Sequence, residues 1–205
     1  MLEERRILLI CCGAIAREIV ALVRANGWDH MRIQCLPAII HNTPERIPEA
    51  VRAKIHASRA DFDDILVLFS DCGTGGVLDR VLREEGVERI GGTHCYEIFA
   101  GEDAFARLMA EEPGTFFVTD YLARHFDRLV IAGLGLDRYP ELRDRYFSHY
   151  SRLVHLAQTD DPETGAKAAR AADALDLRFE TRLVGRGGYE RFLQSRACQI
   201  SADVE

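Results

Sequence analysis

The sequence predicts an α/β fold built on a doubly wound, mainly parallel sheet with helices on both faces, in a single compact domain. Three observations predict it. Short apolar runs rich in branched residues alternate with segments of about 10–15 residues whose apolar positions recur at helical spacing, the signature of strand–helix–strand units with right-handed crossovers. Most of the runs end in glycine- or proline-bearing turns. The chain of 205 residues is 47% hydrophobic and 29% charged, which supports a buried core, and it carries neither an internal repeat nor a low-complexity linker.

Each element follows from its own residues. Residues 5–10 form a buried strand. After Gly13, apolar Ile15, Ile19, Leu22 and Val23 mark a helix that Gly27 stops. Residues 31–36 form a second strand ended by Pro37. Thr43 before Pro44 reads as an N-cap, and Ile47, Val51 and Ile55 line one face of the helix behind it. Residues 64–69 are the clearest central strand. They run through a Ser70–Gly76 turn into a helix carrying Leu78, Val81 and Leu82, closed by Gly86. Residues 87–90 give a fourth strand, residues 102–110 a helix ended by Pro113 and Gly114, and residues 115–118 a fifth strand. This core, residues 5–120, has the Rossmann-like order of strand and helix.

Residues 121–205 continue as a less regular α/β extension. A helix is predicted over 121–134 with Asp120 as N-cap, and another over 141–150 after Pro140. A strand follows over 153–158, an alanine-rich helix over 163–175 and a last strand over 178–184. Gly185, Gly187 and Gly188 form a loop before a short C-terminal helix.

Charge narrows the function. Lys and Arg number 26 against 33 Asp and Glu, a net charge of −7, and no basic face is visible for a nucleic-acid backbone. The longest apolar runs, residues 7–16 and 129–136, fall short of the about 20 residues a bilayer requires. Residues 7–16 end in Ala14-Ile15-Ala16 like a secretory signal. Glu3 and Glu4 cancel Arg5 and Arg6, however, and the following residues continue as an amphipathic helix. A cytoplasmic protein is expected. In that reducing setting the six cysteines are not a disulfide framework, and their placement calls for another reason.

Ligands of open parallel sheets bind beyond the carboxyl ends of the strands. Cys11 and Cys12 end the first strand, Cys72 follows the third and Cys95 the fourth. With those strands as neighbours, Cys12, Cys72 and Cys95 share one rim. Cys12 is preferred to Cys11 because it lies in the turn. Three thiolates and His94 beside Cys95 make a candidate metal site, either a 4Fe–4S cluster or zinc, with one position open to a small-molecule substrate. Helix starts behind Cys12 and Cys72 would favour thiolate. Gly13, Gly73, Gly75 and Gly76, with Tyr96, are the candidate cofactor contacts, and Glu97, Asp71 and His41 the candidate proton-handling groups.

Blander readings stand beside these. Any one cysteine taken alone reads as packing rather than as a ligand, and Cys35 and Cys198 are assigned to packing or chance. Asp71 reads equally as a turn residue. Gln158, Asp160 and Asp161 are candidate lining of the same crevice, with a solvated turn the favoured reading for the two aspartates, whereas His125, His149 and His155 read as structural. The glycine turn at 72–76 suggests a phosphate cradle, but neither GxGxxG nor GxxxxGK[ST] is present. Cys72 as nucleophile, His94 as base and Asp71 as orienter would use one cysteine and leave the others unexplained.

Several segments carry a resemblance: Cys12-Gly13-Ala14, His41-Asn42-Thr43-Pro44-Glu45, Asp71-Cys72-Gly73-Thr74-Gly75-Gly76, His94-Cys95-Tyr96-Glu97, Pro113-Gly114-Thr115-Phe116-Phe117, and Leu134-Gly135-Leu136-Asp137 ahead of Tyr139-Pro140-Glu141-Leu142. Together they resemble domain-of-unknown-function family 1638 along most of the chain. That family has no assigned activity. Some of its members are found in organisms with corrinoid-dependent methyl-transfer systems, which implies corrinoid as a second candidate ligand and a methyltransferase system as a candidate partner, although no cobalamin-type His motif is present. The three-cysteine logic is also similar to that of small iron–sulfur desulfidases. The alternative to a metal enzyme is a metal-free, Rossmann-like binder of an anion, nucleotide or corrinoid, or an accessory protein of a methyl-transfer system. A homo-oligomer is left open.

Overall fold

Strand β1, Ile7–Cys12, has all six side chains buried, as a strand covered on both faces must. It pairs in parallel with β2, Met31–Leu36, on one side and β3, Asp64–Leu68, on the other. The short β4, Glu88–Arg89, adds beyond β3, giving the order β2-β1-β3-β4. The first, third and fourth strands are neighbours, as the sequence suggests. The structure is a computed structural model describing residues 5–202, with side-chain surroundings to residue 197. Glu3, Glu4 and the Cys198 side chain lie outside the described residues.

Helices α1, Ala16–Ala25, α2, Ile47–Ser58, and α3, Val77–Glu85, make the crossovers. Each turns apolar residues inward, among them Ile19 and Leu22, Val51 and Ile55, and Leu78 and Leu82. Gly86 closes α3 as predicted. Thr43 takes the N-cap position of a 3-10 turn rather than of α2, and its side chain makes no cap bond there. Its hydroxyl donates back to the Ile40 carbonyl at 3.5 Å, ending the 3-10 turn at Ala38–Asn42, and a second 3-10 turn at Pro44–Arg46 leads into α2.

The strand predicted over 115–118 does not extend this sheet. It is β5, Thr115–Thr119, and it pairs in parallel with β6, Arg152–Ala157, which pairs with β7, Arg178–Leu183. The parallel α/β class holds, with the strands divided between sheets of four and three. The chain forms two compact units, residues 1–95 with 188–205, and residues 96–187. β6 is buried throughout, and it carries an arginine because that arginine is satisfied. Arg152 donates to Thr115 Oγ1 at 3.1 Å, Leu108 O at 3.2 Å and Glu180 Oε2 at 2.9 Å.

Helices α4, Cys95–Ala100, and α5, Glu102–Glu111, precede β5. The helix predicted over 121–134 is interrupted. α6 covers Asp120–Arg124, and a π-helical turn covers Asp127–Ile131. The cap of α6 is Thr119, which accepts from the Leu122 amide at 3.3 Å, rather than Asp120. Helix α7 is Leu142–Phe147, shorter than predicted. Helix α8, Pro162–Leu175, starts from Asp161, whose carboxylate accepts from the Glu163 amide at 3.1 Å. Helix α9, Gly187–Ala202, returns to the first unit, where Arg196 pairs with Glu88. No helix among the described residues is long and apolar enough to cross a membrane.

Gly114 sets the entry to β5. Its carbonyl accepts from the Ser151 amide at 2.8 Å, and a Cβ there would stand 2.7 Å from the His149 carbonyl oxygen. Gly114→Ala is expected to destabilise the fold by about 1–3 kcal/mol, the usual cost of overpacking. A lowered urea midpoint at unchanged slope would show it, and an unchanged midpoint would refute it.

Candidate functional site

Cys12 ends β1 and turns its sulfur back over the next turn, where it accepts from the Ala14 amide at 3.3 Å. Gly13 has no Cβ because one would stand 3.1 Å from the Leu36 carbonyl oxygen, so the chain's own backbone makes the close approach. Cys12 is 5% exposed. Burial pushes its thiol up to about 12 and outweighs the opposing Ala14 amide. The expected bias toward thiolate is therefore overturned: desolvation exceeds the effect of the helix start.

Cys72 sits in the left-handed region at φ 51°, a conformation that a non-glycine residue holds only when its surroundings enforce it. Two backbone bonds enforce it. The Asp71 amide donates to Gly92 O at 3.1 Å and the Cys72 amide to Thr93 O at 2.9 Å, which carries the pairing of β3 and β4 past the strand ends. The loop at Cys72 is thereby laid along the segment that leads to His94 and Cys95. Arg89 pins the same turn. It pairs with Asp79 at 2.6 Å and donates to the carbonyls of Ile90 at 2.8 Å and Gly92 at 3.3 Å.

Asp71 is committed to this loop. Its carboxylate accepts from Thr74 Oγ1 at 2.7 Å, the Gly75 amide at 3.1 Å and the Gly76 amide at 2.8 Å. Burial would raise its pKa, but these donors hold it below the ordinary carboxylate range. The chain thus supplies its own anion to the glycine loop. Gly73, Gly75 and Gly76 all adopt the left-handed backbone that shapes the loop. Burial, then the Asp71 charge, pushes the Cys72 thiol up to about 11.

The residue common to the cysteines is Tyr189 of α9, which the sequence reading missed. It is 1% exposed. Burial, and the sulfurs of Cys95, Cys72, Cys12 and Cys11, hold its phenol un-ionised. Cys12 at the end of β1, Cys72 in its loop and Cys95 at the start of α4 therefore all lie near enough to act on one buried hydroxyl. His41 joins at Cys12, with Nδ1 3.9 Å from the sulfur. Its ring stacks on Phe69 at a centroid distance of 6.1 Å, and Nδ1 lies 2.9 Å from the Ala38 carbonyl, which accepts its proton. Burial lowers the His41 pKa, leaving a neutral ring with its lone pair on Nε2. Ser70, at the end of β3, is 1% exposed, and its Oγ finds no partner among the described residues.

His94 is exposed and lies close enough to His41 to help lower its pKa. Tyr96 and Glu97 fall in the second unit, where the Tyr96 ring packs 5.7 Å from that of Phe117. Among the described residues no three His, Cys, Asp or Glu side chains are gathered closely enough to hold a metal ion as they stand. Cys35 touches Cys11, sulfur to sulfur, at 3.3 Å.

The second unit has its own polar cluster. Asp120, fully buried, meets His155 Nε2 at 2.9 Å and accepts from Thr159 Oγ1 at 2.7 Å and the Gln158 amide at 3.2 Å. Gln158, expected at the first rim, is part of this cluster, with its Oε1 accepting from the Asp120 amide at 2.8 Å. Asp161 caps α8. Burial would raise the Asp120 pKa, and the donors, His155 first, hold it below its ordinary value.

These features define a parallel α/β protein with buried thiols, an imidazole and a phenol at the carboxyl end of its first sheet. The profile of the family described as protein of unknown function, DUF1638, matches residues 35–193, and the chain belongs to that family. The match takes in Cys72, Cys95 and Tyr189 and begins after Cys12. No curated protein matches the chain.

The depressed Asp120 pKa yields a pH prediction. Such a group contributes stability above its unfolded pKa, about 3.9, and loses it as pH falls through the lower folded value. Asp120→Asn should cost about 1–3 kcal/mol at pH 7, because an amide nitrogen replaces one acceptor oxygen among buried donors. Its deficit against wild type should shrink below pH about 4, where the wild-type carboxylate itself protonates. Melting curves from pH 3 to 7 check this, and a deficit constant across that range would contradict it.

Proposed function

We propose that the carboxyl end of the four-stranded sheet is a metal site in which Cys12, Cys72 and Cys95 hold a 4Fe–4S cluster or a zinc ion, with one coordination position open to a small-molecule substrate. The observation that carries the proposal is that the sulfurs of Cys12, Cys72 and Cys95, from the ends of three separate segments, all act electrostatically on the buried phenol of Tyr189. The donor set is soft, thiols with imidazole nearby, and it suits zinc or iron–sulfur chemistry rather than a hard, oxygen-preferring cation. The thiols are protonated in the metal-free site, so loading would release protons.

Among the three proton-handling candidates, His41 has the suitable form, since it is neutral, partly buried and keeps Nε2 unprotonated. Asp71 positions the Cys72 loop, and its low pKa makes it a weak base. With one open position, the reaction classes that fit are lyase or desulfidase chemistry and methyl-transfer-associated chemistry. A metal-free phosphate cradle at the glycine loop is less well supported, because the Gly75 and Gly76 amides already donate to Asp71.

Metal and acid-labile sulfide should be measured on protein purified without oxygen, with an absorption spectrum. About four irons with matching sulfide and a broad visible band, or one zinc without colour, is the expected result. Cys12→Ser, Cys72→Ser and Cys95→Ser should each lose the metal while remaining folded, and Cys35→Ser should retain it. Folded wild-type protein with no metal, or full retention in Cys72→Ser, would overturn the proposal.

A further inference from the structure

Cys11 and Cys35 are register partners on the neighbouring parallel strands β1 and β2. Partners of this kind project to the same face, with strands about 4.8 Å apart, inside the Cα separation that a disulfide spans. Their sulfurs are in contact at 3.3 Å. The two thiols differ in access. Cys11 is 0% exposed in the central strand, whereas Cys35 is exposed on β2, the edge strand of the sheet. Solvent reaches the outer sulfur, and the outer sulfur touches the inner one.

We propose that Cys35 and Cys11 form a reversible thiol–disulfide couple that hydroperoxides oxidise, with Cys35 as the attacking thiol and Cys11 as the resolving one. In the first step the Cys35 sulfur bonds, as thiolate, to the distal peroxide oxygen, the O–O bond breaks, and the departing oxygen takes up through solvent the proton released when the Cys35 thiol ionised, to leave as water or alcohol. Cys35 is then a sulfenic acid. In the second step the Cys11 sulfur bonds to the Cys35 sulfur, the S–O bond breaks, and water leaves with the Cys11 proton. Two thiols give up two electrons, one peroxide accepts them, and a dithiol reductant reverses the change.

The surroundings suit the assignment. The Cys11 thiol donates to Cys35, which, against some opposition from burial and with Lys54 nearby, brings the Cys35 thiol down to about 7. A fraction of Cys35 is therefore thiolate at neutral pH, the form that attacks peroxide. Neither residue is among the three cysteines assigned to metal, so the couple stands or falls independently of the site proposed above.

The test uses reduced, full-length protein exposed to stoichiometric hydrogen peroxide, followed by alkylation of the remaining thiols and peptide mapping. A Cys11–Cys35 linked peptide is expected, with a mass loss of about two daltons that dithiothreitol restores. Cys35→Ser should leave Cys11 reduced at the same dose. Cys11→Ser should stop at a Cys35 sulfenic acid that dimedone traps. Circular dichroism of both variants verifies that they are folded. Peroxide that leaves Cys35 untouched, wild-type Cys35 that stops at the sulfenic acid, or Cys35 linked to any other cysteine would overturn the proposal.

Discussion

The six side chains of β1 are all withdrawn from water, so this strand can exist only inside a sheet roofed by helices on both faces. Much of the first unit follows from that constraint. The partners β2 and β3 must be parallel and reached by crossovers, which α1, α2 and α3 provide. No room for solvated polar chemistry remains along the strand, so it is displaced to the loops beyond the carboxyl ends. Cys12 ends β1, and Ser70 and the Asp71–Gly76 loop follow β3, where each strand has run apolar up to its carboxyl end.

The loops are held by the backbone more than by side-chain packing. Two amides, of Asp71 and Cys72, extend the pairing of β3 with β4 to Gly92 and Thr93, although β4 itself is only two residues long. Arg89 braces the same carbonyls, and the Asp71 carboxylate closes the turn on the Gly75 and Gly76 amides. These bonds hold Cys72 in a left-handed conformation that its Cβ disfavours by roughly 1–3 kcal/mol. Residues at such positions persist where geometry matters more than local comfort, and the sulfur so placed belongs to the set around Tyr189.

The strands were legible because each is a short apolar run of limited length, and predicted and observed bounds differ by one or two residues for most of them. Which strands share a sheet was not legible. The residues 115–118 have the same local pattern whether they pair with β4 or with β6, and the deciding contact is the approach of Gly114 to His149 and Ser151, distant in sequence. Capping rules failed at Asp120 and held at Thr43 in position alone, while Asp161, the cap of α8, was not singled out as one. A capping side chain competes with other partners: Ile40 O claims the Thr43 hydroxyl, and His155, Thr159 and the Gln158 amide claim the Asp120 carboxylate. The rim cysteines were found through their place after strands. Tyr189 was not, since nothing in Gly187-Gly188-Tyr189 tells that α9 returns to the first unit.

The two polar clusters show why the thiol cluster, and not the carboxylate cluster, is the candidate site. Each stands at the carboxyl end of parallel strands. Around Asp120 every acceptor oxygen meets donors, and the charge is fully answered by the chain itself. His155 Nδ1 is left without a partner among the described residues, but the paired carboxylate makes the cluster a structural fixture whose removal registers as lost stability. Around Tyr189 the groups are thiols and a phenol instead. Burial holds the Cys12 and Cys72 thiols further from ionisation than usual, Ser70 Oγ is buried without a partner among the described residues, and Cys72 carries backbone strain. The orphaned hydroxyl and the left-handed Cys72 each cost folding free energy. The raised thiol pKa values cost none at neutral pH, where free thiols are protonated as well, but they keep the sulfurs from any anionic role in the absence of a cation. A bound metal would supply that cation by displacing the thiol protons, and so the thiol cluster is the one that calls for a ligand.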